Sequence, residues 1–186
     1  MVGDFLHAGD RYLVLDEATN LEWLTPVYTR SHAYNDVFIQ SLTSAYGFRY
    51  ATAAEAKSMI KLNFNDPTSV ADGDAAGFAA AGLFLETFGI AEMIGCGVGP
   101  CPRTQGWTSD VGDPGTHLAE GMIQYGSTGW ALYDLEQDDD TITPQIGSWL
   151  VRSVPVTATP EPATFVLFAS GLVGLLAMRR GTRVGG

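Results

Sequence analysis

The chain has 186 residues, of which 21 are acidic and 10 are basic, and its formal net charge at pH 7 is −11. Residues 1–162 hold every acidic residue and seven of the basic ones, so this part carries a net charge of −14 and the remainder +3. This split argues against a nucleic-acid-binding protein, which needs basic patches facing the phosphates. The acidic part is long enough for one domain with its own core. It would repel an anionic polymer, so contact with a charged glycan would need a local site or bridging cations.

Two strands joined by a turn are predicted near the start of the chain. Residues Arg11 to Leu15 are rich in strand-forming side chains, and Leu21 to Leu24 follow after the turn Glu17 to Asn20.

Helices are predicted in the next part of the chain. The first covers Ser31 to Tyr46, with apolar residues along one stripe and Gly47 at its end. The second begins at Thr52, because Thr52 and Glu55 form a T-x-x-E capping box. A third, Ala75 to Phe88, is glycine-containing and therefore weaker.

The two cysteines, Cys96 and Cys101, lie in the segment GCGVGPC. Glycine and proline let the chain form a tight loop there, so a disulfide is sterically feasible. Its stabilisation would be about 2 kcal/mol, because the closed loop is short. Zinc would need more ligands, and a redox role would favour C-x-x-C spacing. We expect a structural disulfide, which is typical of an oxidising compartment.

The last part of the body is predicted to be strands. Gly121 to Tyr125 and Trp130 to Leu135 flank a glycine-containing turn, and Ser148 to Val154 forms a final strand. With the helices before them, these elements predict an α+β fold of short antiparallel strands and two or three helices.

The sequence shows no recognisable catalytic arrangement. The spacing of His7, His32 and His117 fits no metal or catalytic motif, and we interpret them as surface or structural residues. No G-x-S-x-G motif is present. Glu22 could belong to a pair of catalytic carboxylates, but the sequence identifies no partner for it. We therefore expect no catalytic residues.

Two acidic clusters, within residues 63–74 and 134–140, are candidates for calcium. Calcium binds six to eight oxygen ligands, and the strongest candidates are Asp72, Asp74, Asp138 and Asp140. Neither cluster has the spacing of an EF-hand, and solvated acidic loops are the simpler interpretation. Similarly, Trp107 and Trp130 could form a platform for a sugar, but core positions are the simpler interpretation.

The C-terminal end contains an uncharged run of sixteen residues, Ala163 to Met178. As a helix it would span roughly 24 Å at about 1.5 Å per residue, against a bilayer core of about 30 Å. Arg179 and Arg180 follow, and they could reach the lipid interface and place this end in the cytoplasm. A buried core helix is the alternative, but a run that is apolar on all sides favours lipid.

The segment before this run contains Pro160, Glu161 and Pro162. The prolines favour extended geometry, which a processing enzyme can bind. Pro-Glu-Pro, an apolar helix and an arginine cluster, in that order, resemble the PEP-CTERM sorting signal of Gram-negative bacteria that make extracellular polysaccharide. The resemblance implies that exosortase, a membrane-embedded cysteine transpeptidase-like enzyme, processes the tail. It implies that Pro160, Glu161 and Pro162, with Arg179 and Arg180, are recognised.

A cargo of this kind also needs an export signal. The first residues, MVGDFLHAGDRYLVLD, have neither the basic start nor the apolar run of such a signal. Either the true start lies upstream of Met1, or the chain is a fragment, or export follows another route. We expect the first.

Three short segments of the body form a second pattern. They are D-x-x-T-x-L-x-W from Asp16 to Trp23, F-R-Y-A-T-x-x-E from Phe48 to Glu55, and G-S-W-L-V-R from Gly147 to Arg152. Together they resemble a domain common in PEP-CTERM cargo and the bacterial surface domains with a C-type-lectin-like fold. The resemblance implies that fold for most of residues 10–154, although Ala51 stands where the pattern has proline. Formylglycine-generating enzymes share a similar arrangement, but their active site needs free thiols.

These observations predict four regions: an exported α+β domain at 1–154, a proline-rich linker at 155–162, a transmembrane helix at 163–178 and a basic cytoplasmic tail at 179–186. We expect a non-catalytic protein of the cell surface or extracellular matrix, anchored transiently in the inner membrane and associated with exopolysaccharide or biofilm. The alternatives are a secreted hydrolase with an unrecognised site and a calcium-dependent glycan-binding module. No cofactor is expected, apart from calcium in the last case.

Overall fold

The computed structural model describes residues 2–64, 75–96, 99–125 and 129–154. Its elements are β1 (Val2–Gly3), β2 (Leu13–Asp16), β3 (Leu21–Leu24), α1 (Pro26–Thr29), α2 (Val37–Tyr46), β4 (Arg49–Tyr50), α3 (Ala53–Asn63), α4 (Ala75–Phe88), β5 (Glu92–Gly95), β6 (Pro100–Val111), β7 (Thr116–Tyr125), β8 (Gly129–Asp138), β9 (Gly147–Ser148) and β10 (Leu150–Ser153). The fold is α+β, as the sequence predicts. The predicted linker, transmembrane helix and basic tail lie outside the described residues. None of the helices in the described ranges is long and apolar enough to cross a bilayer.

The first sheet is antiparallel and has the strand order β1-β2-β3-β10-β4. Side chains of successive strand residues point to opposite faces. Accordingly, Trp23 and Val151, which are register partners, belong to one buried cluster, whereas Leu24 and Leu150 belong to another. The second cluster includes Ile39 of α2. Both faces of this sheet are therefore buried.

The second sheet is built from β5-β6-β7-β8, all antiparallel, and β9 joins it by pairing in parallel with β6. The helices α3 and α4 contact this sheet. The main cluster of buried side chains combines Trp23 from the first sheet, Met122 from the second, and Phe64, Phe84 and Phe88 from the helical region. The main core therefore lies where the helices meet both sheets.

Trp149 lies between β9 of one sheet and β10 of the other, and its side chain is fully buried. Its backbone N–H donates to the carbonyl oxygen of Trp107 at 2.9 Å, and its own carbonyl accepts from the N–H of Ala51 at 2.8 Å. Its indole Nε1–H donates to the carbonyl oxygen of Glu120 at 2.9 Å. The ring packs edge-on against Trp23, with centroids 6.1 Å apart. One residue therefore connects the two sheets.

The helix boundaries confirm most of the capping arguments and correct one. Gly47 ends α2 in the left-handed region, with φ 70°, and Thr52 and Glu55 form the capping box of α3. The helix predicted from Ser31 begins only at Val37, so its first part was wrong. Ser31 has φ 66° and Asn35 has φ 59°, and neither conformation is compatible with a right-handed helix.

The strand predictions were too short in the second sheet. The strand β6 has 12 residues, and β7 and β8 have ten each. No strand was predicted for the residues of β6. The strand has two prolines among its first three residues, and its buried positions include the polar residues Thr104, Gln105 and Thr108. The predicted final strand is divided at Trp149 into β9 and β10. A short helix, α1, is added to the three predicted helices.

The close approach of α1 to β9 predicts that Gly147 tolerates no side chain. A Cβ at Gly147 would overlap the carbonyl oxygen of Pro26. We expect Gly147→Ala to lower the free energy of unfolding by about 2 kcal/mol or more, because backbone atoms must separate. Urea unfolding measures the loss. Gly95→Ala is the matched control, since a Cβ there meets nothing within 4 Å. Equal stability of the two variants would contradict the packing of α1 on β9.

Candidate functional site

The first sheet brings together the three segments of the second sequence pattern. β3 carries Glu22, β10 carries Arg152, and β4 leads into the capping box of α3. Arg152 Nε donates to Glu22 Oε2 at 2.7 Å, and its Nη1 donates to the carbonyl oxygen of Tyr46 at 3.2 Å. The guanidinium carbon lies 4.7 Å from the centroid of the Phe48 ring. Glu22, considered above for catalysis, is thus paired with an arginine that also binds the end of α2.

A second arginine–glutamate pair lies at the start of α3. Arg49 donates to both carboxylate oxygens of Glu55, at 2.8 and 2.6 Å, and Glu55 also accepts the backbone N–H of Thr52 at 2.9 Å. The hydrogen bonds from Arg49, assisted by Thr52, lower the pKa of Glu55 to about 2. Glu55 is therefore a charged anchor of the helix start.

Lys57 of α3 reaches two carboxylates of the second sheet. Its Nζ lies 3.1 Å from Glu120 Oε1 and 3.6 Å from Asp134 Oδ2. Glu120 and Asp134 are register partners on β7 and β8. The side chain of Glu120 is fully buried, and that burial raises its pKa despite the ammonium group beside it. The carboxylate of Glu120 is therefore shielded from solvent, and Lys57 is its cationic neighbour.

His117 forms the arrangement that most resembles part of a catalytic site. Its Nδ1 lies 2.6 Å from Asp139 Oδ1, and its ring stacks on Tyr34 with centroids 3.6 Å apart. Tyr34 also stacks on Tyr50, at 4.3 Å, and burial raises the pKa of Tyr34 to about 12. An aspartate that orients a histidine suits general-base chemistry. Within the described ranges, no hydroxyl or thiol nucleophile hydrogen-bonds to this histidine.

The other two histidines lie in different surroundings. His32 stacks on Phe38 and lies 3.3 Å from Asp36, the N-cap of α2, and His7 belongs to a loop near the N-terminus. No contact in the described part of the chain joins any two of the three. Their interpretation as surface or structural residues stays a prediction.

The calcium candidates are divided between described and undescribed segments. Asp138 ends β8 and Asp140 follows it in a turn, whereas Asp72 and Asp74 lie outside the described residues. In the ranges that the structure describes, no three His, Cys, Asp or Glu side chains are grouped to hold a metal ion.

Trp107 is fully buried, which confirms its interpretation as a core residue.

A disulfide joins Cys96 and Cys101 across the hairpin of β5 and β6, as predicted. Cys101 is buried and pairs in register with Ile94. Beside it, Arg103 Nε donates to Glu92 Oε2 at 2.6 Å. The hairpin is thus closed by a covalent bond and an ion pair.

The C-terminal tail contains a protein-sorting motif. Residues 158–180 match the PEP-CTERM protein-sorting motif. The match includes all five predicted recognition residues, Pro160, Glu161, Pro162, Arg179 and Arg180, which lie outside the described residues. No curated protein and no solved structure matches the chain.

The PEP-CTERM motif identifies the tail as a sorting signal. It implies export, a membrane-anchored sorting signal before processing, and exosortase as the processing enzyme at the membrane. The motif covers only the tail, so it does not describe the chemistry of the domain before it. Sequence reasoning identified the motif because its three features are contiguous. It missed the pairs Lys57–Glu120 and His117–Asp139, since strand register brings those residues together.

The ion pair at the start of α3 predicts a stability that depends on acid. Because the pKa of Glu55 is lowered to about 2, its contribution is complete above its ordinary value of 4.5 and is lost as the pH falls toward 2. We expect Glu55→Gln to cost about 1 kcal/mol at pH 7, since the partly exposed Arg49 loses its charged partner. The cost should shrink at pH 3. Urea unfolding at both pH values measures it, with the exposed turn residue Glu17→Gln as control. A cost that is equal at both pH values would contradict the role of the charge.

The buried carboxylate of Glu120, in the second sheet, predicts the opposite dependence on pH. Burial raises the pKa of Glu120 above 4.5, so its contribution to stability is complete below 4.5 and falls as the pH rises through the raised pKa. Glu120→Gln should therefore gain stability relative to the wild type as the pH rises from 4 to 8. Lys57→Met should instead lose about 2 kcal/mol at pH 8, because it leaves the buried carboxylate without its cation. Thermal unfolding across this range measures both variants. A Glu120→Gln curve parallel to the wild type would disprove the effect.

Proposed function

We propose that this protein is a component of the cell surface or extracellular matrix that exosortase releases from its membrane anchor. The tail holds the chain in the inner membrane after export, and cleavage near Glu161 frees the domain of residues 1–154. That domain is non-catalytic and associates with extracellular polysaccharide, as part of a biofilm matrix. The observation that carries this proposal is the match of residues 158–180 to the sorting motif.

Two properties of the body support work outside the cytoplasm. The bond between Cys96 and Cys101 is typical of an oxidising compartment. The net charge of −14 on residues 1–162 keeps a protein soluble at high local concentration.

The use of polar side chains supports a non-catalytic domain. Glu22 is held by Arg152, and Glu55 is held by Arg49 at a helix start. The first pair joins β3 to β10, and the second joins β4 to the start of α3. Among the described residues, the arrangement closest to a hydrolase site is His117 with Asp139, and the stacking of His117 on Tyr34 is typical of a structural cluster. We therefore place polysaccharide association ahead of hydrolysis, and propose no resident cofactor.

The proposal predicts a defined C-terminus for the mature protein in a host that makes exosortase. Mass mapping should find the chain cut near Glu161, and a host without exosortase should keep the whole tail. We expect Glu161→Ala, and separately Pro160→Ala, to accumulate uncut in the membrane fraction. Pro155→Ala is the matched control, because Pro155 lies in the same linker but outside the motif. An uncut wild-type chain in the competent host would overturn the proposal.

A further inference from the structure

A cleft of about 190 Å³ opens beside the first sheet, between the N-terminal loop and the end of α4. The residues that matter most in its lining are Arg11, Tyr12, Thr25, Glu86, Phe88 and Gly89. Its volume is below the range of pockets that hold drug-sized ligands. A ligand of about one ring is therefore the largest that it encloses.

The loop that leads into the cleft is preorganised by Asp10. The carboxylate of Asp10 accepts the backbone N–H groups of Phe5 and Leu6, both at 2.8 Å, of His7 at 2.9 Å and of Tyr12 at 3.2 Å. Four bonds to one side chain fix this part of the chain before any ligand arrives. Preorganisation of this kind lowers the entropy cost of binding.

Arg11 is held at the cleft in a conformation that arginine rarely adopts. Its φ is 56°, in the left-handed region, which costs a residue with a side chain about 1 kcal/mol relative to glycine. Its backbone N–H donates to Asp4 Oδ1 at 3.2 Å, but its guanidinium has no partner among the residues that the structure describes. Backbone strain at a residue whose guanidinium binds no other described residue indicates a function for that guanidinium.

The cleft offers hydrogen-bonding groups of both kinds next to an apolar wall. Arg11 supplies donors and no acceptor, and Glu86 supplies acceptors, with no partner in the described ranges. Thr25 also lines the cleft, is 2% exposed, and has a buried Oγ1 without a partner in those ranges. Tyr12, which is only partly buried, supplies aromatic surface.

The charges decide the class of ligand. The carboxylate of Asp10 is already occupied by four backbone N–H groups. The charges left to meet a ligand are those of Arg11 and Glu86, which are opposite, so a ligand without net charge suits the cleft. A neutral ring with several hydroxyl groups satisfies both sides, because each hydroxyl donates and accepts. The C–H face of such a ring can pack on aromatic surface.

We propose that this cleft binds one neutral sugar residue of a polysaccharide, with Arg11 and Glu86 holding its hydroxyl groups. The inference rests on the proposed function for its choice of a polysaccharide as the source of the sugar. It gives a function to an arginine at a position that glycine would occupy without strain.

The test is an NMR titration of the full chain in a detergent whose head group is not a sugar. The probes are the methyl glycosides of glucose, galactose and mannose, and methyl glucuronide as the anionic comparison. We expect at least one neutral glycoside to give saturable shifts of the Tyr12, Thr87 and Gly89 amides. Arg11→Gly should weaken that binding about tenfold without lowering the melting temperature, because glycine adopts φ 56° without strain.

Arg30→Ala is the matched control, since Arg30 is exposed and does not line the cleft, and it should bind like the wild type. The inference is overturned if no neutral glycoside binds, if the glucuronide binds best, or if Arg11→Gly binds as well as the wild type. These outcomes are separate from tail cleavage. A protein that is cut correctly but binds no sugar in the cleft sinks only this inference, and one that binds sugar but is never cut sinks only the proposed processing.

Discussion

The architecture depends on the position of Trp149, one residue that belongs to neither sheet and connects both. Its backbone is bonded on one side to Trp107 of the second sheet and on the other to Ala51, which precedes α3. Because the indole also donates to the carbonyl oxygen of Glu120, the ring cannot rotate without leaving a buried donor unpaired. The aromatic side chains of α4 pack on a ring that hydrogen bonds hold in place. Packing and hydrogen bonding therefore require the same geometry at this point.

Charged side chains serve this architecture in two different ways. Where the partners are partly exposed, as in Arg49–Glu55, the pair fastens a helix start at little desolvation cost. Where the carboxylate is fully buried, as in Glu120, the lysine only reduces the cost of burial, which is why the pKa of Glu120 remains raised. The charges of Arg49 and Glu55 therefore stabilise the fold, whereas the charge of Glu120 is a cost that the fold tolerates. The cleft at Arg11 differs from both cases, because its guanidinium has no partner among the described residues.

Local chemistry in the sequence predicted local structure well. The capping box at Thr52, the left-handed Gly47 and the bounds of α4 all follow from interactions within a few residues. Non-local features could not be predicted in this way. In β6, the buried Thr108 donates to the carbonyl oxygen of Leu118 on β7, and the buried Thr104 donates to that of Gly89, which follows α4. The left-handed backbone of Ser31 was also not predicted. The sorting motif was predictable because it is contiguous, whereas the cleft at Arg11 depends on a loop, a strand and a helix end meeting in space.

The location of β10 has a consequence for biogenesis. This strand is bonded to β3 on one edge and to β4 on the other, so an interior strand of the first sheet is supplied by the last described segment of the chain. During vectorial export, β3 and β4 remain without this neighbour until residues 150–153 have been translocated. A truncated product that stops before Leu150 would lack both this strand and the sorting motif. Completion of the first sheet and possession of the sorting motif are thereby coupled.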